Sequence, residues 1–258
     1  AERRRHNASL AAQDRAAAMM EEGYKTTKSF GSATALVAAL NAAGCELGVA
    51  NLGDSGLRLI RRQAARRPAE SDVHPSEQHH HPQKQGELLS GAFNSGRTVV
   101  RRTREQQHAF NCPYQLARLP GPEDFDRLRE EGKMALVRAV QNTPSNRQDG
   151  PGHADLYTFR VQEGDLVVLG TDGVFDNLHD REICDLADMA ASPFEAPFLV
   201  DPSSGKLRGA SEPCRVAEAI AQAAFCRARD GSARTPFGLH AKEAGLYHVG
   251  GKMDDITV

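Results

Sequence analysis

The sequence predicts a single α+β layered domain. Segments with period-two or continuous apolar patterning come in pairs bounded by glycine turns, two amphipathic helices follow late in the chain, and no crossover signature of a doubly wound fold is present. At 258 residues the chain is long enough for one large core, and no Pro/Gly/Ser linker separates two self-sufficient halves. Residues 1–258 are therefore read as one domain. Hydrophobic residues make up 40% and aromatics 5%, without tryptophan, which suits a core of alanine, leucine and valine. An aromatic-lined carbohydrate or single-stranded nucleic-acid surface is disfavoured on the same ground.

Leu10 to Glu22 is rich in good helix formers and stops before Gly23, which predicts a helix. Gly31 to Leu40 is an almost unbroken small and apolar run ending at Asn41-Ala42-Ala43-Gly44. Its length fits a buried strand and turn, and a short core helix remains open. Leucine and valine recur at period two from Glu46 to Asn51, and Leu57 and Leu59 repeat the pattern beyond Leu52-Gly53-Asp54-Ser55-Gly56, which predicts a hairpin closed by a glycine-rich turn. A further strand pair is expected at Ala154 to Val161 and Asp165 to Gly170, joined by Gln162-Glu163-Gly164. Its second member is apolar at Leu166-Val167-Val168-Leu169 and so is placed centrally in a sheet.

Helices are expected at Asp180 to Met189, with Asp180 as N-cap, and at Ser211 to Arg227, with Ser211 as cap and Pro213 in the first turn. Ala69 to Gly96 is polar, carries His79-His80-His81 and has no sustained period, so it reads as a flexible insertion. Consecutive histidines rarely point at one centre, and the triplet reads as solvated. Asn142 to Gly152 and Ala191 to Ala210 read as connectors.

Net charge is −2, from 32 basic and 34 acidic residues, which gives no overall electrostatic case for nucleic acid. Arginines clump at Arg3 to Arg5, at Arg58, Arg61, Arg62, Arg66 and Arg67, and at Arg97, Arg101, Arg102 and Arg104. They fit solvated strand ends first, and a patch for an acidic or phosphorylated partner second. The five cysteines are odd in number and contain no CxxC, which argues against a disulfide framework or thiolate zinc site and weakly favours a reducing compartment. No apolar run approaches the length of a transmembrane helix, so no membrane span is expected. Oligomeric state is left open.

Two acid-bearing turns carry the chemistry. Hard divalent cations take carboxylate and water oxygens. Asp172 stands where a strand enters a sharp turn at Gly173, and Asp176 lies four residues on, where a helical turn returns it to the same side. An Asx-capped turn that starts a helix accounts for the same residues. Gly250-Gly251-Lys252-Met253 leads into Asp254-Asp255 and then Ile256-Thr257-Val258. Adjacent carboxylates beside a core strand are costly unless a cation or hydrogen bonds compensate, or unless both face water. Each turn is thus a candidate for part of a metal-dependent hydrolytic site, and spacing alone does not show that the two meet. Asp54 either caps its own turn or orients a ligand, and a supporting role is favoured. No GxSxG elbow surrounds Ser55, and no GxGxxG or GxxxxGK[ST] sequence occurs.

In GSATALVAAL (31 to 40), ANLGDSGLRLIRR (50 to 62), REQQHAFNCPYQL (104 to 116), DLVVLGTDGVFDNL (165 to 178) and GGKMDDITV (250 to 258), taken in this order, the chain resembles the metal-dependent PPM/PP2C family of protein serine/threonine phosphatases. EQQHAFNCPYQL and the DDITV ending look most like its organellar PPTC7-like branch. The resemblance implies an α-β-β-α sandwich of two antiparallel sheets flanked by helices, with two or more Mg2+ or Mn2+ ions at one end. It implies that a water or hydroxide bridging two ions about 3.5 to 4 Å apart hydrolyses phosphoserine or phosphothreonine on a protein substrate.

The family's metal aspartates correspond to Asp172 and Asp254, with Asp176 reaching a further cation or its water shell. Asp54, Asp255 and Gly173 stand around them as support; Asp255 occupies a place where many members have Asn. His108 is a candidate proton carrier and Arg104 a candidate phosphate contact, with surface or hydrogen-bonding roles as the alternatives. Family members carry a DGxGG motif before the GSATA strand, and none lies upstream of Gly31 here. The expectation is a fragment, incomplete at its N-terminus and also at its C-terminus, feeble by itself and active as the full-length protein. The alternative is a phosphatase-like scaffold or regulatory module without catalysis. A mitochondrial or plastid location follows from the resemblance only.

Overall fold

The protein is described by a computed structural model over residues 11–62, 96–142, 149–191 and 212–258. Most of the expected insertion, with His79-His80-His81, lies outside the described residues. So do Leu10, Ser211 and most of both connectors.

Two three-stranded antiparallel sheets and two helical layers make an α-β-β-α sandwich. Helix α1 (Ala12–Thr26) packs on a sheet of β2 (Ala35–Asn41), β3 (Glu46–Leu52) and β9 (Asp155–Arg160), in the order β2-β3-β9. The second sheet holds β4 (Gly56–Arg62), β5 (Arg97–Arg102) and β10 (Leu166–Gly170), in the order β10-β4-β5. Against it lie a short turn α4 (Asp172–Phe175) and two longer helices, α5 (Asp180–Ala191) and α6 (Glu212–Ala228). Two small ribbons complete the described strands: β1 (Gly31–Ala33) with β8 (Leu116–Arg118), and β6 (Gln107–Ala109) with β7 (Cys112–Pro113). Helices α2 (Phe125–Glu130), α3 (Met134–Asn142) and α7 (Pro236–Glu243) lie outside the layers just named. No helix among the described residues is long and apolar enough to cross a membrane.

The period-two pattern sorts side chains between cores. In β3, Leu47 and Val49 join Leu57 and Leu59 of β4 and Phe159 of β9 between the sheets, while Ala50 and Leu52 meet Ala16 and Met20 of α1. In β4, Ile60 points the other way and joins Val168, Phe175, Ile183 and Ile220 under the second helical layer. Both central strands are thus buried on both faces.

That double burial corrects the two expected hairpins. β3 pairs with β2 and β9, whereas β4 pairs with β10 and β5; β9 and β10 likewise part company. A strand apolar on both faces needs a covering layer on each side, so the glycine turn hands the chain across the sandwich instead of folding it back within one sheet. Gly53 takes φ of 102°, and a Cβ there would stand 2.5 Å from Thr34 Cγ2 and 2.6 Å from the Tyr114 carbonyl oxygen. The run from Gly31 is strand rather than helix, broken at Thr34 into β1 and β2. Asp180 is the first helical residue of α5, and the residue before it is held by the Glu182 carboxylate, which accepts from the His179 N–H at 2.8 Å.

The arginine clump on β4 and β5 is not simply solvated. Arg58 Nε donates to Asp180 at 2.7 Å, Arg97 Nε to Asp188 at 2.7 Å, and Arg61 grips Asp165 through two 2.7 Å bonds. Arg62 and Arg102 each reach one of the same α5 aspartates at 3.3 Å. The pairs with Asp180 and Asp188 fasten α5 along the second sheet.

Helix α1 starts directly on β3. A Cβ on Gly48 would fall 1.9 Å from the Ala12 carbonyl carbon and oxygen, backbone that cannot step aside without lifting the helix. Gly48→Ala is expected to lower unfolding free energy by about 1–3 kcal/mol, measured by urea denaturation. An unchanged midpoint would show that α1 is not seated there.

Candidate active site

The end of β10 and the C-terminal tail are tied by Thr171. Its N–H donates to the Thr257 carbonyl at 3.1 Å, its hydroxyl donates to the Asp255 carbonyl at 2.8 Å, and that hydroxyl accepts from the Thr257 N–H at 3.1 Å. The turn α4 follows, and Asp176 N–H donates to the Asp172 carbonyl at 2.7 Å, which brings both carboxylates to one side. Gly173 makes the close approach feasible: a Cβ there would stand 2.4 Å from the Asp255 carbonyl oxygen.

Asn177 completes the joint. Fully buried, it donates from Nδ2 to the carbonyls of Gly173 and Lys252 at 2.9 Å each, and its Oδ1 accepts from the Lys252 N–H at 2.9 Å. Residue 252 is therefore fixed over the turn that carries Asp172 and Asp176.

From that anchor the Lys252 ammonium reaches Asp172 Oδ2 at 2.8 Å, Asp176 Oδ2 at 2.7 Å and Asp254 Oδ2 at 3.1 Å. Burial works against the ammonium, but hydrogen bonds to Asp172 and Asp176 and the charges of both outweigh it and hold the group above its ordinary range. Burial pushes Asp176 up to about 6, with Asp172 and Glu105 adding repulsion and Lys252 opposing. Burial also pushes Asp54, in the β3–β4 turn, up to about 6, with Asp172 the next cause. Asp254 lies below its usual range: burial would raise it, but the Asp255 N–H and Lys252 prevail. One ammonium thus serves a cluster with more negative charge than it can balance.

A cavity of about 230 Å³ opens beside Asp176, lined by Glu105, Gln107, Asn111, Phe237 and His240. It adjoins a larger cleft of about 580 Å³ where Arg58, Arg102, Arg104 and His179 meet.

No family profile matches the chain. Among curated proteins it is 31% identical over 242 residues to the probable protein phosphatase 2C 55 of Arabidopsis thaliana, covering 94% of this chain and 35% of that protein. It is 31% identical over 229 residues to the human protein phosphatase PTC7 homolog, covering 88% of this chain and 53% of that protein. The chain belongs to the PP2C-like phosphatase superfamily. Among solved structures, the photosystem II phosphatase PBCP superposes with a TM-score of 0.58 at 23% identity, over 94% of this chain and 68% of that one, which supports the same fold. The chain spans about a third to a half of the length of curated relatives it matches.

Of the residues singled out in the sequence, Asp172, Asp176 and Asp254 come together around one cation, and Asp54 stands near enough to feel Asp172. Gly173 contributes backbone clearance, and Asp255 contributes its main chain while its side chain is exposed. His108 lies elsewhere in its contacts: its Nε2 is 2.8 Å from Asp149 Oδ2 and its ring stacks on Tyr114 at 4.0 Å. Arg104 is exposed at the larger cleft and engages its surroundings through its main chain, the N–H donating to the Tyr157 hydroxyl and the carbonyl accepting from Asn51.

Sequence reasoning passed over Lys252, Asn177 and Glu105. Lys252 and Asn177 lie inside motifs already quoted, GGKMDDITV and TDGVFDN, and a lysine two residues before an acid pair was the available signal.

The donors at this point suit the Mg2+ or Mn2+ of PP2C-type enzymes: carboxylate oxygens only, already grouped around a positive charge, with surplus negative charge left over. In their present arrangement, no group of three acidic, histidine or cysteine side chains among the described residues could hold a metal ion.

The raised carboxylates make a testable pH dependence. With a folded pKa of about 6 against an ordinary 3.8, Asp176 binds its proton more tightly in the folded than in the unfolded chain, so its contribution to stability is lost as pH rises through 6. Asn mimics the protonated form at all pH. In EDTA, the stability of Asp176→Asn relative to wild type is expected to increase by about 1 kcal/mol between pH 5 and pH 7.5. Denaturation at both pH values checks this, and a constant difference would contradict it.

Proposed function

We propose that the full-length protein is a Mg2+- or Mn2+-dependent protein serine/threonine phosphatase of the PPTC7-like branch. The convergence of Asp172, Asp176 and Asp254 at the sheet ends carries this reading. The chain spans 35% of one relative and 54% of another, so the reading is made of the full-length protein.

When bound, the divalent ions supply positive charge for the phosphoryl oxygens and a water acidic enough to attack at neutral pH. Asp172 and Asp254 are the residues that would hold them, with Asp176 as an outer contributor. Thr171 and Asn177 keep these carboxylates in register by fixing the tail to α4. Asp54 stands behind them as a second layer of negative charge. The cavity beside Asp176 is the natural entry for a phosphorylated side chain, and Arg104 is placed at the adjoining cleft to meet its phosphate. The contacts of His108 with Asp149 and Tyr114 support a role in fixing that segment rather than in carrying a proton at the acid cluster.

A non-catalytic scaffold is the second reading, favoured by the fact that Lys252 already neutralises part of the cluster. Phosphate release from a phosphoserine peptide by the full-length protein separates the two. Turnover is expected to require added Mn2+ or Mg2+ and to fall on the order of a hundredfold or more in Asp172→Asn. Metal-independent turnover sinks the phosphatase reading, and Mn2+-tight but inactive protein supports the scaffold. Preference for a small aryl phosphate over the peptide would redirect the substrate class to small esters.

A further inference from the structure

We propose that Lys252 is a built-in counter-cation of the carboxylate cluster, competing with a divalent ion for Asp172, Asp176 and Asp254 and giving way when the ion binds. The inference rests on the metal reading above and adds a residue to it.

Four observations carry it. The ammonium stands within 3.1 Å of an oxygen from each of three carboxylates, so it takes the place where their negative charge is most concentrated. A divalent ion using the same oxygens would stand so close to Nζ that mutual repulsion, with the dielectric lowered by burial, forbids both at once. The charge count favours the ion: Asp54 and Glu105 also act electrostatically on the cluster, so one ammonium stands against five carboxylates.

The remaining two observations concern how the lysine can leave. Its main chain is held on both sides by Asn177, so displacement is confined to a flexible four-carbon stem and leaves the Asp254 tail in place. An alternative resting place is already near. The ring of Phe237 lies 5.0 Å from Nζ and lines the adjoining cavity together with Glu105, which offers the departing ammonium a π face and a carboxylate. By contrast, Arg58 and Arg61 pair with aspartates outside this cluster and have no such competing role.

Competition of this kind lowers apparent ion affinity by the fraction of molecules whose carboxylates are free. Replacing the ammonium while keeping the stem removes that handicap and also strips the metal-free cluster of the cation that pairs with all three carboxylates. The test is calorimetric titration of the full-length protein with MnCl2 at one fixed pH, alongside melting curves in EDTA, for wild type, Lys252→Met and Lys252→Arg. Lys252→Met is expected to bind Mn2+ about tenfold or more tightly than wild type, while melting at lower temperature in EDTA. Lys252→Arg, which keeps the charge, is expected to bind no more tightly than wild type.

Unchanged or weaker Mn2+ binding by Lys252→Met overturns the proposal while leaving the metal site intact. Equal tightening in Lys252→Arg also overturns it, because charge would then be irrelevant. If no variant binds Mn2+, the metal reading falls and takes the proposal with it. Should Lys252→Met fail to fold, Lys252→Gln is titrated under the same criteria.

Discussion

The ion pairs of Lys252 with Asp172 and Asp176 join segments that are 80 and 76 residues apart in the chain. Carboxylates gathered at the end of a sheet repel one another and are costly to keep charged without a partner. Everything local is arranged to bring one cation among them. Thr171 ties the tail to the end of β10, Gly173 lets the two backbones approach, and Asn177 fixes the residue that bears the ammonium. Each of these three is ordinary as a residue type. Their joint effect is to convert a repulsive acid cluster into a defined one.

The sandwich supplies the rigidity this arrangement needs. β3 and β4 are the central strands of separate sheets, and the short turn between them delivers Asp54 to the same end as Asp172. Cores on both faces of each sheet hold those strand ends in place. Along the second sheet, Arg58, Arg61 and Arg97 spend their charge on Asp180, Asp165 and Asp188. Arg58 also lies 4.0 Å over the ring of Phe175, so an ion pair and a stacked ring meet immediately behind the turn that carries the site. Helix α5 is thereby fastened to the sheet that positions α4.

Layering and the bounds of the elements named from sequence were largely legible because burial imposes a period, but β10, expected at the centre of its sheet, stands at the end of the order β10-β4-β5. Leu47 and Val49 against Ala50 and Leu52 is a period-two signal, and the structure divides the two sets between two cores. Strand pairing was not legible. Period two says that a strand has two faces and not which neighbour it takes, so two pairs of consecutive strands were assigned as hairpins although each pair divides between sheets. The acids of the site were visible because Asp-Gly turns and a double Asp are local signals. Lys252 and Glu105 were invisible for the opposite reason. Their importance comes from what stands across from them, at Asp172 and Asp176, and no spacing within the chain records it. The arginines show the same limit: a basic clump in one dimension became a set of ion pairs with α5 in three.

A site built for divalent cations presents a folding problem that this arrangement addresses. Before an ion arrives, several carboxylates must be brought together, Asp54 and Asp176 of them buried, and each unpaired one opposes folding through desolvation or repulsion. A lysine carried on the same tail as Asp254 offsets part of that penalty at the moment the tail docks, because the ammonium and the carboxylate arrive on one segment. Stability of the ion-free fold is then gained at the expense of ion affinity, since the group that stabilises the one state must be displaced to reach the other. One ammonium against the carboxylates of Asp172, Asp176 and Asp254 makes the offset partial. A partial offset is what a loadable site requires. Full neutralisation by protein cations would leave no electrostatic reason for an ion to enter, and none at all would leave the acid cluster working against the fold that holds it.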